Sequence, residues 1–157
     1  MTGNDHAGVY VPPLLLFIIP LVAAALVPAP QAWPILETLS TTAALGGLLA
    51  VTTGVAMGLA SVASFRGAGT TILPAGRPTT AVVDAGPYAF TRNPMYLAMA
   101  FGYAGLALLL NNMWALLLLP VVLAVVDRFV IRREERYLAS KFGRPYRDYC
   151  LRTRRWI

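Results

Sequence analysis

Glu134 and Glu135 are the only adjacent carboxylates in the chain, and they sit among Arg132, Arg133 and Arg136. Such a pair can hydrogen-bond a cationic or hydroxylated ligand. On a solvated helix face it can equally compensate the neighbouring arginines. A second polar cluster lies upstream, where Gly86 to Tyr96 reads GPYAFTRNPMY. Tyr88 and Tyr96 bracket it and could act as ligand contacts or as interfacial anchors. Arg92 could meet a phosphate or mark a cytosolic loop. Asn93 can cap a helix that has Pro94 at its first position, where the missing N–H costs nothing. Other chemistries are poorly supplied. His6 is the sole histidine and Cys150 the sole cysteine, so no metal site and no disulfide framework is expected. Nothing near Cys150 offers a base, and it reads as a bystander. No phosphate-binding glycine loop and no serine nucleophile elbow is present.

The elements that must position these residues are apolar. Of 157 residues 57% are hydrophobic, only 13% are charged, and the mean hydropathy is +0.62. That composition is too apolar for an ordinary soluble domain. The fold class expected is all-α, a polytopic membrane protein forming a single domain over residues 1–157. Four spans are expected, over about 10–27, 35–65, 94–110 and 113–131. Pro20 and Pro120 predict kinks, Trp33 an interface position, and Asn111-Asn112 a tight turn. Gly46, Ala50, Gly54 and Gly58 place small residues on one face of the second span, which suits close helix packing. Residues 66–93 form a long connection that mixes β-branched residues with turns and reads as an ordered functional loop.

Charge sets the orientation. Asp127 to Ile157 holds ten Lys/Arg against four Asp/Glu, and the loop adds Arg66, Arg77 and Arg92 against Asp84. The opposite connections hold no Lys or Arg. By the positive-inside rule the loop, both termini and the segment 132–157 face the cytoplasm. The partner implied by the basic tail is the membrane lipid surface rather than nucleic acid. Oligomeric state is not encoded in any feature identified.

Taken in order, Gly86-Pro87-Tyr88, Arg92-Asn93-Pro94-Met95-Tyr96, Glu134-Glu135-x-x-Leu138 and Phe142-Gly143-x-x-Tyr146-x-x-Tyr149 resemble the integral-membrane methyltransferases of the isoprenylcysteine carboxyl methyltransferase and phospholipid methyltransferase superfamily. The resemblance runs from about Ala81 to the C-terminus. It implies methyl transfer from S-adenosylmethionine to a lipophilic acceptor, in a pocket formed by the cytosolic C-terminal helix and tail. It implies that Thr80, Ala81, Val82 and Val83 line the cofactor, largely through backbone groups, and that Tyr88 contacts it. Asn93, Pro94, Met95 and Tyr96 match the family's Arg-His-Pro-x-Tyr stretch, and Glu134 would hold a polar part of the cofactor. Asn93, Tyr96 and Glu134 are thereby the candidate catalytic residues, with Arg92, Glu135, Tyr146, Tyr149 and Arg152 as further candidates. Two positions depart from the pattern. Asn93 replaces a frequent histidine, and Val130 occupies the place of an arginine that holds the substrate carboxylate in the prenylcysteine enzymes.

The acceptor is therefore open between a carboxyl group, as in the isoprenylcysteine carboxyl methyltransferases, and a phospholipid amine or small thiol. A reading of another class is a non-enzymatic membrane scaffold or transporter subunit, which the small-residue stripe would serve. The lack of intramembrane charge argues against an ion or proton path.

Overall fold

The computed structural model describes residues 12–26, 40–70 and 80–157. Its elements are helices α1 (Pro13–Ala25), α2 (Ser40–Gly67), α3 (Pro94–Leu109), α4 (Met113–Val126), α5 (Arg132–Phe142) and α6 (Arg144–Arg152). A short 3-10 turn covers Gly86–Ala89, and a π-type turn, Asp127–Ile131, links α4 to α5. Among the described residues there is no strand, only an isolated parallel bridge between Thr91 and Arg154.

Two helical stretches are long and apolar enough to cross a membrane by length and composition, Thr41–Gly67 and Met113–Phe142. Pro13–Ala25 and Pro94–Leu109 are apolar but shorter. The expected second span thus runs to Gly67, two residues beyond its predicted end. The expected fourth span is carried on a helix that continues past residue 131. Its helix passes through the π turn into the charged α5, because nothing in Arg132–Phe142 breaks a helix before Gly143. The outer limits of the first span, the start of the second, Trp33 and residues 71–79 of the loop, including Arg77 and Thr79, lie outside the described residues.

A core forms where α1, α3 and α4 meet, from Phe17, Tyr96, Tyr103, Ala107, Val122 and Val126. Asn112 ties its end together. Its Oδ1 accepts from the Ala115 N–H at 3.1 Å as a helix cap, and its Nδ2 donates to the Ala24 carbonyl at 2.8 Å. Asn111 at φ +49° makes the preceding turn. α2 packs along α3 in the most extensive helix pair of the fold. The contact is close because both helices lack side chains there. A Cβ at Gly54 would stand 2.7 Å from the Ala98 carbonyl oxygen, and one at Gly105 would stand 2.6 Å from that of Gly47. The small-residue face is therefore Gly47, Gly54 and Gly58. Gly46, expected in the stripe, meets nothing within 4 Å. An i, i+4 stripe drifts by about 40° at each step on a helix, whereas Gly47 and Gly54 are seven apart and stay aligned.

The outer face of α2 exposes Leu45, Leu48, Leu49, Val55 and Leu59, and α1 exposes Leu14, Ile18, Ile19 and Val22. Contiguous apolar surface of this extent is costly in water and costs nothing in hydrocarbon. The structure therefore agrees with membrane association.

Candidate active site

The polar residues singled out by the sequence converge where the start of α3 meets α5 and the C-terminal segment. Tyr96 opens the first turn of α3 and Glu134 the first turn of α5. The Tyr96 hydroxyl donates to the Glu134 carboxylate and stands 2.9 Å from each oxygen. Glu134 lies beyond the charge-free stretch of α4, yet it is half-buried. Burial pushes its carboxyl up to about 7. The hydrogen bond from Tyr96 works in the opposite direction, and the charge of Glu135 adds a smaller upward push.

Tyr88 flanks this pair. It lies in the 3-10 turn and is buried, with the Phe65 ring edge-on to it at 5.3 Å between centroids. Burial raises its hydroxyl above the ordinary phenol range. The charges of Tyr149 and Glu134 add to the rise, and a hydrogen bond with Ser61 opposes it. The turn needs Gly86 at φ +61°, and a Cβ there would stand 2.5 Å from Ser64 Oγ. α2 therefore contributes Phe65, Ser61 and Ser64 to the site's back wall. Ser61 is fully buried and was not identified from sequence, where it is one small polar residue in an apolar run.

Asn93 occupies the cap position before Pro94, but its side chain makes no capping bond. This corrects the expectation of a capping asparagine. Its Nδ2 instead donates to the Arg155 carbonyl at 2.9 Å. That carbonyl also accepts from Thr91 Oγ1 at 3.1 Å, and the Arg92 N–H donates to the Arg154 carbonyl at 2.9 Å. Residues 153–155 are thus strapped across the entrance to α3. Asn93 positions the strap, and among the described residues its amide makes no hydrogen bond to Tyr96 or Glu134. Pro94 is fully buried and Met95 half-buried beside it.

The two glutamates divide their work. Glu135 receives Arg155 in a two-pronged pair, Nη2 to Oε2 at 2.6 Å and Nε to Oε1 at 3.1 Å, with Arg92 at 3.5 Å. The pairing raises the Arg155 guanidinium further above its already high range. Compensation by Arg132, Arg133 and Arg136 was the plain expectation for both acids. Arg132 in fact pairs with Asp127 at 3.0 Å, and Glu135 reaches across to the strap. Arg155 and Asp127 were missed as structural partners. The tail's basic residues read as headgroup contacts, and no local spacing pairs positions 135 and 155.

The remaining candidates sit at the rim. The Tyr149 hydroxyl donates to the Tyr88 carbonyl at 2.8 Å. Tyr146 is buried with its ring 6.1 Å from that of Tyr149, and burial pushes both hydroxyls up. The tail expected at headgroup level is therefore, in this part, the helix α6 packed against the 3-10 turn. Arg152 is exposed, 3.5 Å from Asp84, and takes no part in the Tyr96–Glu134 cluster. Thr80 is exposed with its N–H held by Thr70 Oγ1 at 3.0 Å, Ala81 and Val82 are half-buried, and Val83 is buried. Among the described residues no hydrogen bond joins these four to Tyr96 or Glu134. A solvent-open groove of about 490 Å³ lies beside the site. Arg92, Glu135, Tyr146 and Arg155 line it, and Tyr88, Tyr96 and Glu134 do not.

A half-buried carboxylate faced by tyrosines suits a ligand that carries positive charge and hydroxyl groups. Comparison with known proteins points the same way. Residues 42–145 match the sequence profile of the family described as phospholipid methyltransferase. An uncharacterised protein of Haemophilus influenzae is 41% identical over 63 residues, which are 40% of this chain and the whole of that protein. The cobalt-zinc-cadmium resistance protein CzcN of Cupriavidus metallidurans is 33% identical over 78 residues. The nickel-cobalt-cadmium resistance protein NccN of Alcaligenes xylosoxydans xylosoxydans is 32% identical over 78 residues. In both, the matched stretch is half of this chain and spans 36% of the relative's length. No solved structure matches.

Proposed function

The chain belongs to the phospholipid methyltransferase family, and on that footing we propose that it transfers a methyl group from S-adenosylmethionine to a lipophilic acceptor at the membrane surface. The observation that carries the reading is the part-buried Tyr96–Glu134 pair, made from two separate pieces of the family pattern. When bound, S-adenosylmethionine supplies an electrophilic methyl on a cationic sulfur. An ionised Glu134 offers that cation, its amino group or its ribose hydroxyls a charge-assisted partner in a site of low dielectric. Tyr96 holds the carboxylate in one orientation and favours its ionised form. Tyr88 and Phe65 close the apolar side, which excludes water from the reacting atoms. Asn93 acts through the strap of residues 153–155, which covers the same end of α3. Backbone groups of Thr80 to Val83 complete the lining in this reading.

The acceptor favoured is a lipid amine rather than a carboxyl group. Val130, at the place of the carboxylate-holding arginine, is buried in the π turn at 3% exposure, so no cation at that position can receive a carboxylate. The isoprenylcysteine-type reading keeps the same cofactor site and would need a cation from elsewhere to hold the carboxylate.

For topology we propose four crossings, with α1 and α3 as the shorter spans and the whole chain as one membrane domain. The loop, both termini and the site then face the cytoplasm, in accord with the distribution of Lys and Arg. The test is methyl transfer from isotopically labelled S-adenosylmethionine into a total membrane extract by the purified protein. Base-stable label in the phospholipid fraction supports an amine acceptor, and base-labile label indicates an ester. No protein-dependent label in any lipophilic fraction contradicts the proposal.

A further inference from the structure

We propose that the groove bounded by the π turn, α5 and α6 binds the phosphate of an anionic phospholipid, at a site that does not include the Tyr96–Glu134 pair. The inference does not rest on the methyltransferase reading. Arg92, Arg128, Arg132, Arg136, Arg147 and Arg155 line the groove, and Glu135 is the acidic residue among its walls. Glu135 and Asp127 answer Arg92, Arg132 and Arg155. Arg136 donates to the Arg132 carbonyl. No carboxylate among the described residues pairs with Arg128, Arg136 or Arg147. Arg92 Nε is buried with no acceptor among the described residues. Guanidinium groups gathered round an opening of about 490 Å³ repel one another unless an anion joins them. Phosphate suits their forked donors better than any monodentate anion.

The surroundings select a lipid as the source of that phosphate. Arg128 follows the charge-free α4 by two residues and Arg132 by six, about 3 and 9 Å along a helix, which is headgroup depth if α4 spans the membrane. Large apolar side chains stand exposed close by in sequence to the lining residues. Phe129 is 56% exposed next to Arg128, and Leu151 is 86% exposed next to Cys150, another groove residue. A soluble phosphate would need no apolar rim, whereas a lipid brings acyl chains to cover it. The stripe Arg128, Arg132, Glu135, Arg136 and Ala139 also lies on a different face of the helix from Glu134, since neighbouring residues are turned by about 100°.

The test uses the full chain, purified in neutral detergent and stripped of lipid. Retention of short-chain phosphatidylglycerol and phosphatidylcholine is compared by native mass spectrometry and by thermal stabilisation. The wild type is expected to retain one phosphatidylglycerol in preference to phosphatidylcholine, more weakly as salt is raised. Arg128→Gln with Arg147→Gln, both exposed positions, is expected to weaken that binding roughly ten- to thirty-fold. Arg144→Gln, on an exposed arginine outside the groove, should leave it unchanged. Equal retention of both lipids by the wild type, or undiminished binding by the double variant, overturns the proposal. Stabilisation by millimolar inorganic phosphate equal to that by phosphatidylglycerol assigns the groove to free phosphate and overturns the lipid assignment.

Discussion

Glu134 is pulled in two directions, by burial toward the neutral acid and by the Tyr96 hydroxyl toward the carboxylate. With its midpoint at about 7 rather than near 4.5, the two effects have opposite consequences on either side of neutrality. A carboxyl whose folded-state midpoint is raised contributes stability below its unfolded value. That contribution is lost as pH rises through the folded value. Thermal stability in detergent should therefore fall between pH 4.5 and 7, and Glu134→Gln should flatten the fall. Binding of a cationic ligand runs the other way and strengthens as Glu134 ionises. Tyr96→Phe removes the one influence that lowers the midpoint, so the pH dependence of cofactor binding should shift upward. A downward or absent shift, read by isothermal titration across pH, would count against the pairing. Tyr103 makes the contrasting case. It is buried against Phe17, and its hydroxyl has no partner among the described residues. An unsatisfied buried hydroxyl is a cost of about 1–3 kcal/mol. Tyr103→Phe should accordingly be neutral or stabilising in a melting curve, where most aromatic substitutions in this core would destabilise.

At the scale of the elements, the fold depends on two close approaches. α2 meets α3 through Gly47, Gly54 and Gly105, where added methyl groups would collide with backbone rather than with yielding side chains. Gly105→Ala should cost about 1–3 kcal/mol, seen as a lower melting temperature, whereas Gly46→Ala should not, since its surroundings are open. The second approach is the strap of residues 153–155 over the start of α3. Two ion pairs in this region differ in worth. Arg144–Asp148 at 3.8 Å is largely exposed and contributes almost nothing. Arg155–Glu135 at 2.6 Å is two-pronged and half-sheltered. Arg155→Ala should release the C-terminal segment, with faster proteolysis after residue 152 and weaker cofactor binding while α3 and α4 keep their protection from hydrogen exchange. Sequence patterning made the helices legible, because apolar runs and punctuating prolines and asparagines are local signals. It gave Asn93 a capping role, since the spacing to Pro94 is right for one. The bond to Arg155 joins residues 62 apart, and no local pattern carries that information. The π turn was hidden for the same reason, as Asp127–Ile131 has helix-forming composition and its widening answers to packing.

For the molecule as a whole, the functional reading joins three features: apolar helices that expose their outer faces, a C-terminal concentration of arginine, and a half-buried acid at their junction. The order Gly86–Tyr96, Glu134-Glu135, Tyr146–Tyr149 was legible because it is a pattern in the chain. Its division of labour was not. Glu134 meets Tyr96 while Glu135, one residue on, holds the strap, and that follows from helix geometry acting on side chains brought in from elsewhere. The central claim is that Glu134 is the cofactor's polar anchor in a methyltransferase site. It is tested most directly by titrating S-adenosylmethionine into the purified full-length protein at pH 8, beside Glu134→Gln and Glu135→Gln. The account predicts binding in the micromolar range, about −8 kcal/mol. It predicts a loss of tenfold or more with Glu134→Gln, and a smaller loss with Glu135→Gln that is accompanied by release of the C-terminal segment. Absence of binding to the wild type, or binding that Glu134→Gln leaves unchanged, would contradict it.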